Sequence, residues 1–470
     1  MSTRALDWVF VSFLVGGIFI GWLIAALPLP FGWIAAGIFL LGAIILVWRY
    51  SFGQMQADVR IALFAILVYF GMAVYITPLV SDYYAKHGGN DVGLYITRGK
   101  ELEELIINNP LGATDLFVSG ATFTTDFRPP SPTTPAFQWI ITLLLLLTGG
   151  STIGVSLACA WLGARGGYYF IKAFQPSLTK ADWLWYAMLI LFFPSVVLWL
   201  TFPLKDVITF WTLGLMSYGF SQFVANRSWS GLMRLLAAEL ACFAVRPYFA
   251  AFFSIPLLAL GLLDFARCIA QKNHKRLPSL LLLVAANGLL FYLLTTNKFF
   301  LGIDSPQQLG EYQQSAGSNI AGSNVRPDMP VEETPNAHGF TSVSAFLWER
   351  VQYVFTVMFR PMPWESHNLF AFLASLENVV LLMLMICILW KMRDVMVATL
   401  QSPTLIFTGC FAMLFVGAFS LQVINLGTMT RLKINVLPFF FAFAAIALPR
   451  CFSDFSGLRR RLLGSPRLLL

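Results

Sequence analysis

The sequence predicts an all-α integral membrane protein. Three observations carry this: 58% of the 470 residues are hydrophobic, 11% are charged, and mean hydropathy is +0.72. Soluble chains carry about 25% charged residues. Apolar runs of about 20 residues recur along the chain, each long enough to cross a bilayer as a helix. Inside a bilayer, helices satisfy their own backbone hydrogen bonds, which is why spans take this form.

The candidate spans are residues 8–26, 31–48, 61–80, 152–171, 183–201, 207–224, 232–245, 249–266, 279–296, 369–390, 405–424, and 436–446 with its flanks. They imply about twelve transmembrane helices. The first run has no small-residue cleavage site and a second run follows at once, so it reads as a retained helix. No stretch has the composition of a soluble domain. Residues 1–470 therefore form a single polytopic domain, with long loops at 81–137 and 297–343 and a basic tail at 450–470.

Sidedness follows from the cations, because short cytoplasmic loops collect Lys and Arg. The apolar run 135–147 is too short to cross alone. Taken as a re-entrant or interfacial helix on the outer face, it leaves Arg4, Arg49, Arg60, Lys172, Lys180, Arg227, the Arg267–Arg276 cluster, Lys391, Arg393 and the tail inside. Taken as a crossing, it splits these cations across the membrane. The first reading makes both termini cytoplasmic and both long loops external. Arg165 interrupts the fourth span, so that crossing is expected to shift toward Pro135 with a bend at Gly149–Gly150. Residues 91–108 and 346–360 fit amphipathic helices, the second ended by Pro361. Residues 304–339, rich in Ser, Gly, Asn, Pro and Gln, read as a flexible external loop.

Several function classes drop out. The cations are spread among loops, which argues against nucleic-acid binding. None of the six cysteines falls in the long loops, so no disulfide framework is implied, and no spacing suggests a metal or a cofactor.

The external face collects the candidate chemistry. In GGNDVGLYITR, Asp91 sits where a glycine turn enters a helix and Tyr95 follows one turn later. Asp91 is either a helix cap or a general base at the membrane surface. Lys205 and Asp206 lie in FPSVVLWLTFPLKD, where Asp206 either starts a helix and pairs with Lys205 or serves a site. Arg246 lies in AVRPY, with Glu239 two turns earlier inside the membrane. Such ionisable groups are usually functional, the alternative being a buried pair with a cation. FRPMPWE presents Arg360, Trp364 and Glu365, with Trp364 also suited to an interfacial anchor. NLGTMTRLKINVLP carries Arg431 and Lys433, and the loop residue His338 reads as simply exposed. Lys205, Arg246, Arg360, Arg431 and Lys433 are external cations in a chain that otherwise keeps cations inside. Lys and Arg bind phosphate, Arg in bidentate fashion. Tyr95, Trp199 and Trp364 can stack on sugar faces. Asp206, Glu239 and Glu365 are secondary acidic candidates.

These elements resemble those of the bacterial GT-C-type membrane glycosyltransferases and the related polysaccharide polymerases. The resemblance lies in the layout: an external Asp-bearing loop, a short apolar helix from Pro135, then paired helices carrying FPSVVLWLTFPLKD, VRPY, FRPMPWE and NLGTMTRLKINVLP. It implies a GT-C-like fold in the bacterial inner membrane, a sugar donor linked to polyprenyl phosphate or diphosphate, a saccharide or lipid-linked acceptor, and Asp91 as the base. The Asp-bearing loop follows the third span here, not the first, and Asp91 stands between Asn90 and Val92 rather than in an acidic pair. The competing expectation is a transporter or flippase of lipid-linked saccharide, which calls for polar groups at mid-membrane and an internal repeat. A structural scaffold would leave the external cations unexplained.

Overall fold

A computed structural model describes residues 3–26, 34, 37, 38, 57–87, 91–113, 134–226, 228–271, 277–296, 354–366, 369–422 and 426–462. Most of the expected span 31–48, the segment 304–339 with His338, the Arg227 position, and the tail from 463 lie outside the described residues. Among the described residues, every regular element is helical.

The chain begins with α1 (Thr3–Ala26). Helix α2 (Ala57–Gly71) runs through a π turn (Met72–Ile76) into α3 (Thr77–His87). There follow α4 (Asp91–Asn108), α5 (Thr134–Leu147), α6 (Thr152–Phe174), α7 (Lys180–Phe192), α8 (Pro194–Trp199) and α9 (Lys205–Asn226). The second half holds α10 (Trp229–Val245), α11 (Pro247–Ala270), α12 (Leu277–Thr296), α13 (Leu369–Trp390), α14 (Met392–Gln401), α15 (Pro403–Gln422), α16 (Leu426–Lys433) and α17 (Leu437–Leu462).

Among the described residues, four helical stretches are long and apolar enough to cross a membrane: Arg60–Tyr83, Pro247–Ala270, Ala371–Trp390 and Leu437–Asp454. Two bent pairs, Ala136–Leu147 with Thr152–Ser177 and Met392–Gln401 with Pro403–Phe419, raise the number to six if each is one span. On α13, Leu373, Met383, Ile386 and Leu389 are all exposed while Ser375 and Asn378 are buried. Such an apolar exterior suits lipid as solvent. The protein is a multi-pass membrane protein.

Three local features have sequence causes. The stretch 183–201, expected as one span, divides instead, because Phe193 is extended (φ −66°, ψ 125°) ahead of Pro194. Proline disfavours helical geometry in the residue before it. The expected bend falls at Gly149 and Gly150, with φ of 64° and 74°. It turns α5 by 114° from α6. Only glycine adopts that backbone without strain, and the Trp22 indole closes the bend by donating to Leu147 O at 2.9 Å. Arg165, the residue that interrupts the fourth span, has its guanidinium 4.4 Å from the Phe10 ring centre and 4.8 Å from that of Tyr169. Aromatic faces offer a cation partial compensation for lost water.

Helix directions sort the loops into two ends. Asp206 opens α9 and Val224 lies near its close, about 27 Å away at 1.5 Å per residue. The Asp206 end also receives the α10–α11 junction and the start of α17, through contacts to Arg246 and Asn435. At the other end Asp182, opening α7, pairs with Arg450 late in α17, Lys391 after α13 pairs with Asp454, and Ser402 before α15 meets Ser177. Lys172, Lys180, Arg267, Lys391 and Arg393 thus share one end, as the charge pattern requires. The outer-site candidates occupy the opposite end.

Small residues set the helix spacing. A Cβ on Gly219 of α9 would lie 2.7 Å from both Gly231 O and Leu235 N of α10. Backbone atoms cannot rotate away, so Gly219→Ala should force the two helices apart and cost about 1–3 kcal/mol. At Gly71 a Cβ meets nothing within 4 Å. Gly71→Ala should therefore stabilise, by about 0.5–1 kcal/mol. Thermal unfolding in detergent should show shifts of opposite sign.

Candidate functional site

The outer cluster is built around Asp206, in the first turn of α9 and fully buried. A lone carboxylate there would be costly. Arg246 Nη2 donates to its two oxygens at 3.2 and 3.3 Å, and Asn435 Nδ2 donates to Oδ1 at 3.3 Å. Arg431 Nε stands 3.2 Å from Oδ2 as an ion-pair contact. Arg246 occupies the single-residue break between α10 and α11, and its Nη1 donates to Tyr248 Oη. Two guanidinium groups thus face one carboxylate. The buried Arg246 Nε proton finds no acceptor among the described residues.

The Asp91-bearing helix lies against this cluster. Val92 and Tyr95 pack on Phe202 and Leu204, immediately before Lys205. Tyr95 stands edge-on to Phe137, with ring centres 4.9 Å apart, and is within electrostatic range of Arg246. Asp91 is the first residue of α4, so its backbone is one turn, roughly 6 Å, from Tyr95. Its side chain lies outside the described residues.

A second polar group adjoins the first through residues 431–435. Lys433 Nζ donates to Met358 O at 3.1 Å and to Asn378 Oδ1, while Asn378 Nδ2 donates to Pro361 O at 2.9 Å. Asn378 thereby ties the FRPMPWE segment to the end of α16. Burial pushes the Lys433 ammonium down to about 8, against the opposing charge of Glu377.

The three arginines among the external cations therefore divide. Arg246 and Arg431 meet on Asp206, whereas Arg360 pairs with Glu365, its Nε donating at 2.8 and 3.1 Å. Lys205 is buried beside Asp206, whose ion-pair partners here are the two arginines. Trp364 is 80% exposed and stands outside the cluster, in keeping with the anchor reading. Glu239 accepts from Ser254 Oγ on the neighbouring helix, so its close partner is a hydroxyl and not a cation, about 10 Å along α10 from Arg246. Sequence reasoning missed Asn435, Tyr248, Asn378 and Glu377. Glu377 was detectable, since it is an ionisable residue inside the span 369–390, the criterion that singled out Glu239.

The chain matches no protein-family model and no curated protein. The chemistry must be argued from the cluster itself. Among the described residues no group of three or more His, Cys, Asp or Glu side chains converges to hold a metal ion. Fixed guanidinium groups with surplus donors at a membrane surface suit an anionic group rich in oxygen acceptors.

Asp206→Asn keeps the shape but removes the counter-charge of both arginines. The loss should be about 3 kcal/mol, the penalty for breaking a buried ion pair from one side, measured by unfolding in detergent. Arg431→Gln should cost less, because Arg246 still holds the carboxylate. A second expectation concerns acid. Burial raises the Glu365 carboxyl, but Arg360 and the Met362 N–H outweigh it and hold it below the usual carboxylate value. Glu365 thus stabilises its segment above the unfolded value, and this is lost as pH falls through the lower folded value. Hydrogen-exchange protection over 354–366, measured against the intrinsic rate at each pH, should fall in that acidic window. Glu365→Gln should show that low protection across the pH range, without the acid step.

Proposed function

We propose that the protein is a membrane glycosyltransferase or polysaccharide polymerase that takes sugar from a polyprenyl-linked donor at the external face of a bacterial inner membrane. It has about twelve spans in a GT-C-like arrangement, with both termini cytoplasmic. The observation that carries the reading is the pair Arg246 and Arg431, held by buried Asp206 with an Arg246 donor left over. Such a pair is pre-organised for a phosphate or diphosphate.

In this reading Arg246 and Arg431 bind the donor phosphate, with Lys205 and Lys433 adding positive charge around it, while Arg360 stays paired with Glu365. Tyr95 and Trp364 offer aromatic faces to sugar or acceptor. Asp91 takes the proton from the acceptor hydroxyl, whose oxygen forms the new bond to the sugar anomeric carbon. The bond from that carbon to the phosphate oxygen breaks, and the lipid phosphate leaves with the electron pair. Cations aimed at the leaving oxygen stabilise charge that develops only in the transition state. Asp206 is a positioning residue.

The test is sugar transfer by the purified protein in liposomes containing a polyprenyl-phosphate-linked sugar. Asp91→Asn should fold normally, since Asn caps a helix about as well as Asp, and should lose transfer by about a hundredfold or more. Arg431→Gln should weaken binding of polyprenyl phosphate itself. Full activity in Asp91→Asn would reject that base. Translocation of the lipid-linked sugar without transfer would replace the enzyme reading by a flippase.

A further inference from the structure

At the opposite end of the bundle, a cavity of about 770 Å³ opens between the α6–α7 connection, the close of α9, the α14–α15 bend and the latter half of α17. Its volume is in the range of small-molecule sites. Neither the charge pattern nor the outer cluster accounts for it.

Its walls are of two kinds. The charged lining is two guanidinium groups, Arg393 and Arg450, and two carboxylates, Asp182 and Asp394, with Thr179 and Ser402 beside them. Apolar lining comes from Val224, Ala225, Val397 and Ile446. Asp182 is 3% exposed and binds Arg450 Nη1 at 3.0 Å. A guanidinium carries five donors, so this ion pair fixes Arg450 in place without using up its hydrogen-bonding capacity. Arg393 is exposed on α14.

The setting of α14 specifies the surroundings. It is bent by 117° from α15, and Met392, Met396 and Leu400, spaced by one turn each, are exposed along it. A helix with that stripe lies in the membrane–water interface with its apolar side toward the acyl chains. Arg393, next to Met392, is then held at head-group depth at the mouth of the cavity.

We propose that this cavity binds the phosphate of a lipid in the adjoining leaflet, with Arg393 and Arg450 on the phosphate oxygens and the apolar wall against the glycerol and the first acyl carbons. Basic pockets between spanning helices recognise lipid head groups in this way. The proposal is independent of the glycosyl-transfer reading, since no residue is shared.

The test is binding to the delipidated full-length protein in detergent, by native mass spectrometry, with three probes. Phosphatidylglycerol should bind, diacylglycerol, which lacks the phosphate, should bind at least about tenfold more weakly, and soluble glycerol phosphate should also be weak. Arg393→Gln, an exposed substitution, should weaken phosphatidylglycerol about tenfold, the loss of one charge-assisted hydrogen bond. Arg450→Lys keeps a cation for Asp182 but loses the planar fork, and should weaken it too. Equal binding of diacylglycerol, or unchanged affinity in both variants, would overturn the site. Tight glycerol phosphate binding would overturn the lipid as its source.

Discussion

The Asp206 end of the bundle depends on one carboxylate. Asp206 is fully buried and accepts hydrogen bonds or ion-pair contacts from Arg246, Arg431 and Asn435. A charge removed from water must be compensated locally, so the start of α9, the α10–α11 break and the α16–α17 connection must come together for the chain to fold. Buried ion pairs are often replaceable by apolar packing without loss of stability. The arrangement therefore makes more sense as a way to hold two arginines at fixed positions than as a way to stabilise helices.

The two ends differ in how they handle charge. At the basic end Asp182 is matched by Arg450 and Asp454 by Lys391, one carboxylate to one cation. At the outer end one carboxylate faces two guanidinium groups, with Lys433 two residues beyond Arg431 and tied to Asn378 and Met358.

Local patterning made the helices legible. The span 369–390 coincides with α13, and the glycine bend at 149–150 falls where the short run 135–147 required one. Failures came where one residue overrides a pattern or where partners are remote. Pro194 breaks a run that hydropathy alone reads as continuous. Asn435 reaches Asp206 across 229 positions, and Lys433 reaches Asn378 across 55. No periodicity encodes such pairs. Glu377 and Asn378 approach the site from inside a span, where the external-loop pattern carries no signal.

In the proposed reading, four acidic candidates compete for the role of base. A base must reach the acceptor hydroxyl directly or through one water. Asp206 is sealed from solvent and held by two arginines, so reaching a substrate would mean breaking the contacts that hold the cluster together. Glu365 is held by Arg360 and by the Met362 N–H. Glu239 is buried against Ser254, remote from the cations. Asp91 begins a helix whose first turns rest on the segment leading into Lys205, and Tyr95 of that helix sits in range of Arg246. In the proposed reading, proton transfer by Asp91 leaves Asp206 to hold Arg246 and Arg431, so the two roles fall on two carboxylates.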